Sequence, residues 1–321
     1  MKLKDFYRTA IELGMEKDPR GKDEIKRILD EAKAEFEKLD DKEKEVFDKE
    51  KLENPYPDTR ILNGSGEEEI RSIMVGIDIE APELLLLDRL REKGERIDAA
   101  VAHHPEGIAY ARLGEVMMMH ADIAAKLGVP INVAEKYTVK RIKEVERRLL
   151  PVNHQRAIDM ARVLKIPFVN LHTPADNFVA SWLQEKFDNE KPRTLKDIID
   201  ILLDIPEYKI SAQRGAPPTI LIGTKKDRAG KVFVDMTGGT EGSKEIFEKL
   251  SAAGVGTIVA MHMSDEHFRE IERHNINLII AGHISSDSLG LNLLIDTIRK
   301  VRKEEIEITP VSGFIRVERN L

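Results

Sequence analysis

No cysteine occurs in the 321 residues of this chain. That excludes a disulfide framework and thiolate chemistry, and it leaves only His, Asp and Glu to hold a transition metal. Also missing is any stretch of about eighteen uncharged apolar residues, so no membrane-spanning helix is expected. The start MKLKDFYRTAIELG lacks the charged-then-apolar-then-small layout of a secretory signal, and the expectation is a cytoplasmic protein with no membrane partner. Clustered positive charge is absent too. The net charge is −7, and the one basic run, KRIKEVERR, alternates Lys and Arg with Glu at helical spacing, as a solvated helix face does. Counterion release on nucleic acid would reward little here, so a nucleic-acid partner is not expected. What the chain does have is 41% hydrophobic residues, enough to bury a sizeable core in two domains or one large one. Its 34% charged residues and single Trp would suit a thermophile.

The first fifty or so residues place Ile25, Ile28, Leu29, Ala32, Phe36 and Leu39 at helical spacing among Lys and Glu, which predicts two amphipathic helices. Pro55 and Pro57 in NPYPDTR end them, giving a helical extension over residues 1–57. From Ser72 onward short apolar runs alternate with helical patterns: SIMVGIDI, DAAVAHH, IPFVNLHT, TILIGT, VFVDMTGG, TIVAMH and NLIIAGH. The fold class is therefore α/β, two-lobed, with mostly parallel or mixed sheets flanked by helices and an N-terminal helical extension. The expected division is a first lobe over 58–190, a second lobe over 191–262, and a return to the first lobe over 263–321. TILIGT and VFVDMT, separated by KKDRAGK, read as a hairpin. No internal repeat is evident.

The predicted strands repeatedly finish on metal-ligand or acid/base residues: Asp78, the pair His103 and His104, His172, His262 and His283. In open α/β sheets ligands bind outside the carboxyl ends of the strands, so these side chains converge if the strands are neighbours. A single strand-end histidine ordinarily bonds a nearby loop; five of nine histidines in such places is a different signal. Two pairs, His172 with Asp176 in HTPAD and His283 with Asp287 in HISSD, share a four-residue spacing that puts both side chains on one side of a helical turn. Pro105 turns the chain after His103 and His104, letting each imidazole face a different ion. Three or four imidazoles and two carboxylates suffice for two divalent ions and exceed one tetrahedral zinc with an open position.

At these residues the chain resembles the NGG-one-interacting factor three (Nif-three-like) family, whose members are also named GTP cyclohydrolase one type two homologues. The likeness runs from about Ile73 to the C-terminus. A strand ending in His-His-Pro is matched by His103, His104 and Pro105; a later His-Thr-x-x-Asp by His172, Thr173 and Asp176; and Gly-His-x-x-x-Glu by Gly282 and His283, with Asp287 in the glutamate's place. The resemblance implies a two-lobed α/β subunit in a toroidal homohexamer, with two metal ions per subunit held by His103, His104, Asp176, His283 and Asp287. The resemblance also implies that 106–152 is an inserted segment of the first lobe: unlike the family, the chain carries some forty-five residues between Glu106 and Val152 and the helices before Pro55.

Around this set, His172 is expected to complete a coordination sphere or donate a hydrogen bond behind it, and Asp78 to orient a ligating histidine, accept a proton or cap a helix. His262 reads equally as a site or surface residue. The run Met117–Met119 and His120 either line a pocket or fill core. The loop TGGTEGSKE either receives an anionic group on its backbone amides or packs a tight strand-to-helix turn. The reading is a hydrolase of a small polar, nucleotide-like or phosphorylated substrate, dependent on two divalent ions (zinc, manganese, iron or nickel), with a metal-bridged hydroxide as nucleophile. The alternative is a metal-binding regulatory protein without turnover. A metallophosphoesterase would need Asp-x-His and Asn-His motifs that the chain does not show convincingly.

Overall fold

The structure is a computed structural model and describes residues 1–319. Among the described residues nine strands form two sheets. In the first, β1 (Arg60–Asn63), β4 (Phe168–Asn170), β3 (Ala99–Ala102), β2 (Ser72–Gly76) and β9 (Glu307–Val311) lie in that order. The second runs β5 (Thr219–Ile222), β8 (Asn277–Ile280), β7 (Val255–Ala260), β6 (Lys231–Asp235). Strands β1 and β5 are antiparallel to their neighbours and the rest are parallel. Every residue of β2, β3 and β4 is buried, as expected where helices cover both faces of a parallel sheet.

The sequence pattern misses the two outer strands of the first sheet. RILN is short and half polar, and EITPV contains Pro310, which an edge strand tolerates because one side of its backbone needs no partner. The hairpin read for TILIGT and VFVDMT does not form. β5 and β6 run antiparallel but occupy opposite edges, because β7, buried along most of its length, and β8, buried at its centre, take the middle. The first four strands of each sheet thus share one order and one set of directions, a repeat of topology with no repeat of sequence.

Two long helices, Thr173–Glu190 after β4 and His283–Arg302 after β8, pack against each other. Their Phe178, Leu183, Leu289 and Leu294 join Val101 and Val169 of one sheet and Val234, Val259 and Ile279 of the other in a single core. Each such side chain, fully buried, stabilises by about 1.5–3 kcal/mol before the entropy of ordering is set against it.

The N-terminal helix Leu3–Glu16 belongs to this core through Leu3, Phe6 and Ala10, and its Gly14 sits against Pro174. The next helix, Lys22–Lys38, fully buries only Ile25, and the rest of the apolar stripe read there is half-buried. The inserted segment leaves the end of β3 and crosses to the second sheet. Its Ala121, Ala124 and Ala134 pack with Phe247, Leu250 and Ile258. Met117 and Met119 are fully buried, so the methionine run fills core. Among the described residues no helix is long and apolar enough to cross a membrane.

Candidate metal centre

Six of the residues singled out above come together where the carboxyl ends of β3, β4 and β8 meet the two long helices. His103 and His104 follow β3 directly, their backbone amides donating to Gly76 and Ile77 carbonyls. His172 caps the first long helix and Asp176 lies on its first turn. His283 opens the second helix and Asp287 follows one turn on. The equal His-x-x-x-Asp spacing therefore conceals unequal geometry: His172 stands before its helix, whereas His283 is in it. Asp176 thus sits at the positive end of its helix dipole, while Asp287 lies a turn further in.

Three of the imidazoles are oriented through Nδ1. His103 Nδ1 lies 3.1 Å from the Leu171 carbonyl, His104 Nδ1 2.7 Å from Asp78 Oδ1, and His172 Nδ1 2.8 Å from Asp58 Oδ2. A carbonyl or carboxylate accepts only, so Nδ1 carries a proton and Nε2 is the nitrogen that can ligate once an ion displaces any proton on it. The Nε2 atoms turn inward. His103 Nε2 is 3.3 Å from Asp176 Oδ1 and 3.5 Å from Asp287 Oδ1. His104 and His283 Nε2 are each 3.5 Å from Asp287 Oδ2 and 3.3 Å from each other. His172 Nε2 is 3.8 Å from Asp176 Oδ2.

Asp176 Oδ1 and both oxygens of Asp287 are buried without any hydrogen-bond partner. Leaving such groups unpaired costs about 1–3 kcal/mol each, more for charged ones. Donors placed tetrahedrally at 2.0–2.1 Å from an ion stand about 3.3–3.4 Å apart, close to most of the separations found. Two overlapping triads, His103–His172–Asp176 and His103–His104–Asp287, keep their donor atoms within 4.8 Å of one another. The donor set fits metal ions and can hold them through nitrogen and oxygen alone.

The charges respond to this crowding. Burial opposes a charged His103, yet the Asp287 and Asp176 carboxylates hold its proton well above the usual imidazole range. Burial likewise opposes a charged His104, which Asp287 and Asp78 nonetheless push up to about 9. Burial opposes an ionised Asp287 as well, and the surrounding histidines overcome it, keeping that carboxylate far below its ordinary value. A cluster that pulls protons in so strongly is a cluster built for cations.

The centre opens on a cavity of about 100 Å³ that is also lined by His120, Asp235, Glu241 and His262. His262 lines this cavity with its side chain 48% exposed: its ring centroid is 4.8 Å from that of His283, and its Nδ1 is 3.4 Å from Glu241. Asp78 holds His104 and leaves the following helix to Glu80 for its cap. The glycine-rich loop seats the inserted segment. A Cβ on Gly238 or Gly242 would meet the His120 ring, and one on Gly239 would meet Val116. His120 Nε2 also lies 2.7 Å from the Thr240 carbonyl.

Sequence reasoning missed Asp58, Asp235 and Glu241. Asp58 alone left a trace, following Pro57 in a segment too rigid to be a mere linker. Its carboxylate is fully buried and accepts from His172 and from Thr173 Oγ1 at 2.6 Å. Burial would raise its pKa, and those two partners bring it below the ordinary value.

No family model and no curated protein matches the chain by sequence. Among solved structures it is similar to a NIF3 superfamily protein from Sphaerobacter thermophilus, at 28% identity over 80% of this chain and 91% of the other, with a TM-score of 0.67. It is more distantly similar to reduced HcgD from Methanocaldococcus jannaschii (14% identity, 78% and 87% of the two chains, TM-score 0.47) and to a Bacillus cereus protein related to NIF3 (10%, 81% and 92%, TM-score 0.40). Likeness at those last two distances says nothing of chemistry.

Proposed function

We propose that this NIF3-like chain is a dinuclear metal-dependent hydrolase of a small polar molecule, nucleotide-like or phosphorylated. The observation that carries the reading is Asp287, whose two buried, unpaired oxygens face different histidines. A carboxylate so placed would bridge two ions, one held with His103 and Asp176 and the other with His104 and His283. Asp287 would do this with a shorter reach than the family's glutamate.

A pair of divalent ions supplies Lewis acidity and a water acidified towards neutral pH, which is the chemistry of hydrolysis. The protein's part is to fix the imidazoles, as Asp78 does for His104, and to present the substrate. The cavity would give a polar molecule the carboxylates of Asp235 and Glu241 and the imidazoles of His120 and His262 beside the ions. Zinc, manganese, iron and nickel all accept this donor set. The proposal extends to a homohexamer, as the family resemblance implies.

The rival is a metal-binding regulatory protein, and the complete burial of His103 and Asp287 favours it, since structural sites are closed. Against it, the His104 and His283 side chains are 27% and 38% exposed. The test is to strip the protein with a chelator, reload it separately with each of the four metals, and screen nucleotides, phosphoesters and cyclic amides. Turnover lost on stripping and restored by metal supports the hydrolase. Two bound ions with no turnover on any of the three classes supports the regulatory reading.

A further inference from the structure

We infer that the two ion positions are unequal, and that Asp58 makes them so by converting His172 into a fourth protein donor that closes the inner position and leaves the outer one open. The inference rests on the two-ion reading above and adds to it a division of labour and a positioning residue.

The inner position is bounded by His103, His172, Asp176 and Asp287, whose relative exposures are 1%, 6%, 5% and 1%. His172 would be idle there if its ring could turn. It cannot: the Asp58 carboxylate accepts its Nδ1 proton, the Thr173 hydroxyl fills the same Oδ2, and the His172 backbone amide donates to Thr59 Oγ1 at 3.2 Å. The ring is thereby held as the tautomer with a bare Nε2, aimed at Asp176. A carboxylate behind an imidazole also raises its strength as a ligand, and loss of such a partner commonly weakens metal binding 10–100-fold.

The outer position has three protein donors, His104, His283 and Asp287 Oδ2. Its two imidazoles are the more exposed ones, at 27% and 38%, and His283 has the His262 ring beside it; the cavity itself is bordered by His283 and by the inner donors alike. Four protein donors describe a closed site and three an open one. The inner ion is therefore structural and the outer one is where a substrate oxygen or nitrogen enters.

The segment that carries Asp58 is anchored for this purpose. Tyr56 donates to Asp18 at 2.8 Å, and Asn177, next to Asp176 on its helix, donates to the Tyr56 hydroxyl at 3.2 Å. The N-terminal extension thus braces the inner position from behind.

The test uses the full chain titrated with cobalt(II), whose visible spectrum reports donor number and whose hyperfine-shifted proton spectrum shows ligand N–H groups. The first equivalent should fill the inner position and give a spectrum that azide leaves unchanged; the second should give bands that azide shifts. In the two-cobalt form, His172→Asn should remove one slowly exchanging N–H resonance, and Asp58→Leu should speed that proton's exchange and weaken the tighter site at least ten-fold. Asp58→Asn, which keeps an acceptor oxygen, should restore most of the slow exchange. Uptake of two cobalt ions with azide reaching both, or with no resonance lost in His172→Asn, overturns the division while sparing the two-ion reading. Uptake of no cobalt overturns both.

Discussion

Gly290 lies against the main chain of Ala175 so closely that a Cβ on it would stand 2.4 Å from the Ala175 carbonyl oxygen. This contact sets how near the two long helices approach, and Asp176 and Asp287 each lie within a turn of it. The spacing of the two carboxylates about His103 is therefore fixed by a missing side chain three residues along the same helix face from Asp287.

Gly290→Ala should destabilise the fold by about 1–3 kcal/mol, because a backbone atom cannot yield as a side-chain end can. It should also lower metal content by spreading the carboxylates. Denaturant unfolding and elemental analysis of one preparation measure both. Unchanged values would mean that the helices have slack the structure does not show.

How much of this was legible beforehand depends on how local each cause is. A strand ending in His-His-Pro announces itself, as does a histidine or aspartate on the first turn after an apolar run, and His103, His104, Asp176, His283 and Asp287 could all be named. Asp58 could not. Its partner His172 is 114 residues away, and the two meet only because β1 pairs with β4, Arg60 opposite Asn170; RILN is too short and too polar to predict that strand. The edge positions of β5 and β6 were hidden for a similar reason, since strand order depends on which runs are apolar enough to be buried together. The glycines at 238, 239 and 242 read equally as an anion cradle or a tight turn until His120 and Val116 were found against them.

Gln184 occupies the free edge of β6, accepting from the Val234 amide at 3.0 Å and donating to the Val232 carbonyl at 3.1 Å. It imitates the next strand of the sheet and so blocks pairing with another chain. Gln184→Ala should cost about 1–3 kcal/mol for two main-chain groups left without partners and should promote self-association, read by thermal unfolding and sedimentation velocity. A variant as stable and as soluble as the parent would show that water serves the edge equally well.

Glu241 gives the fold a specific acid sensitivity. Burial would raise its pKa, but His262, His267 and the Ser264 amide bring it down from an ordinary 4.5 to about 2. A depressed carboxylate contributes stability that is complete above its unfolded-state pKa and is lost as pH falls through the folded value. The stability gap between parent and Glu241→Gln should therefore be widest above about pH 4.5 and close towards about pH 2. Urea unfolding across that range measures it, and a gap indifferent to pH would remove Glu241 as its source.

The central claim is that Asp287 joins two ions. Elemental analysis of the protein purified without added metal, beside Asp287→Ala and Asp287→Glu, tests it most directly, with circular dichroism to certify that each variant is folded. The account predicts about two divalent ions per chain in the parent, retention of both in Asp287→Glu, and less than one in Asp287→Ala. Two ions retained by folded Asp287→Ala would contradict it.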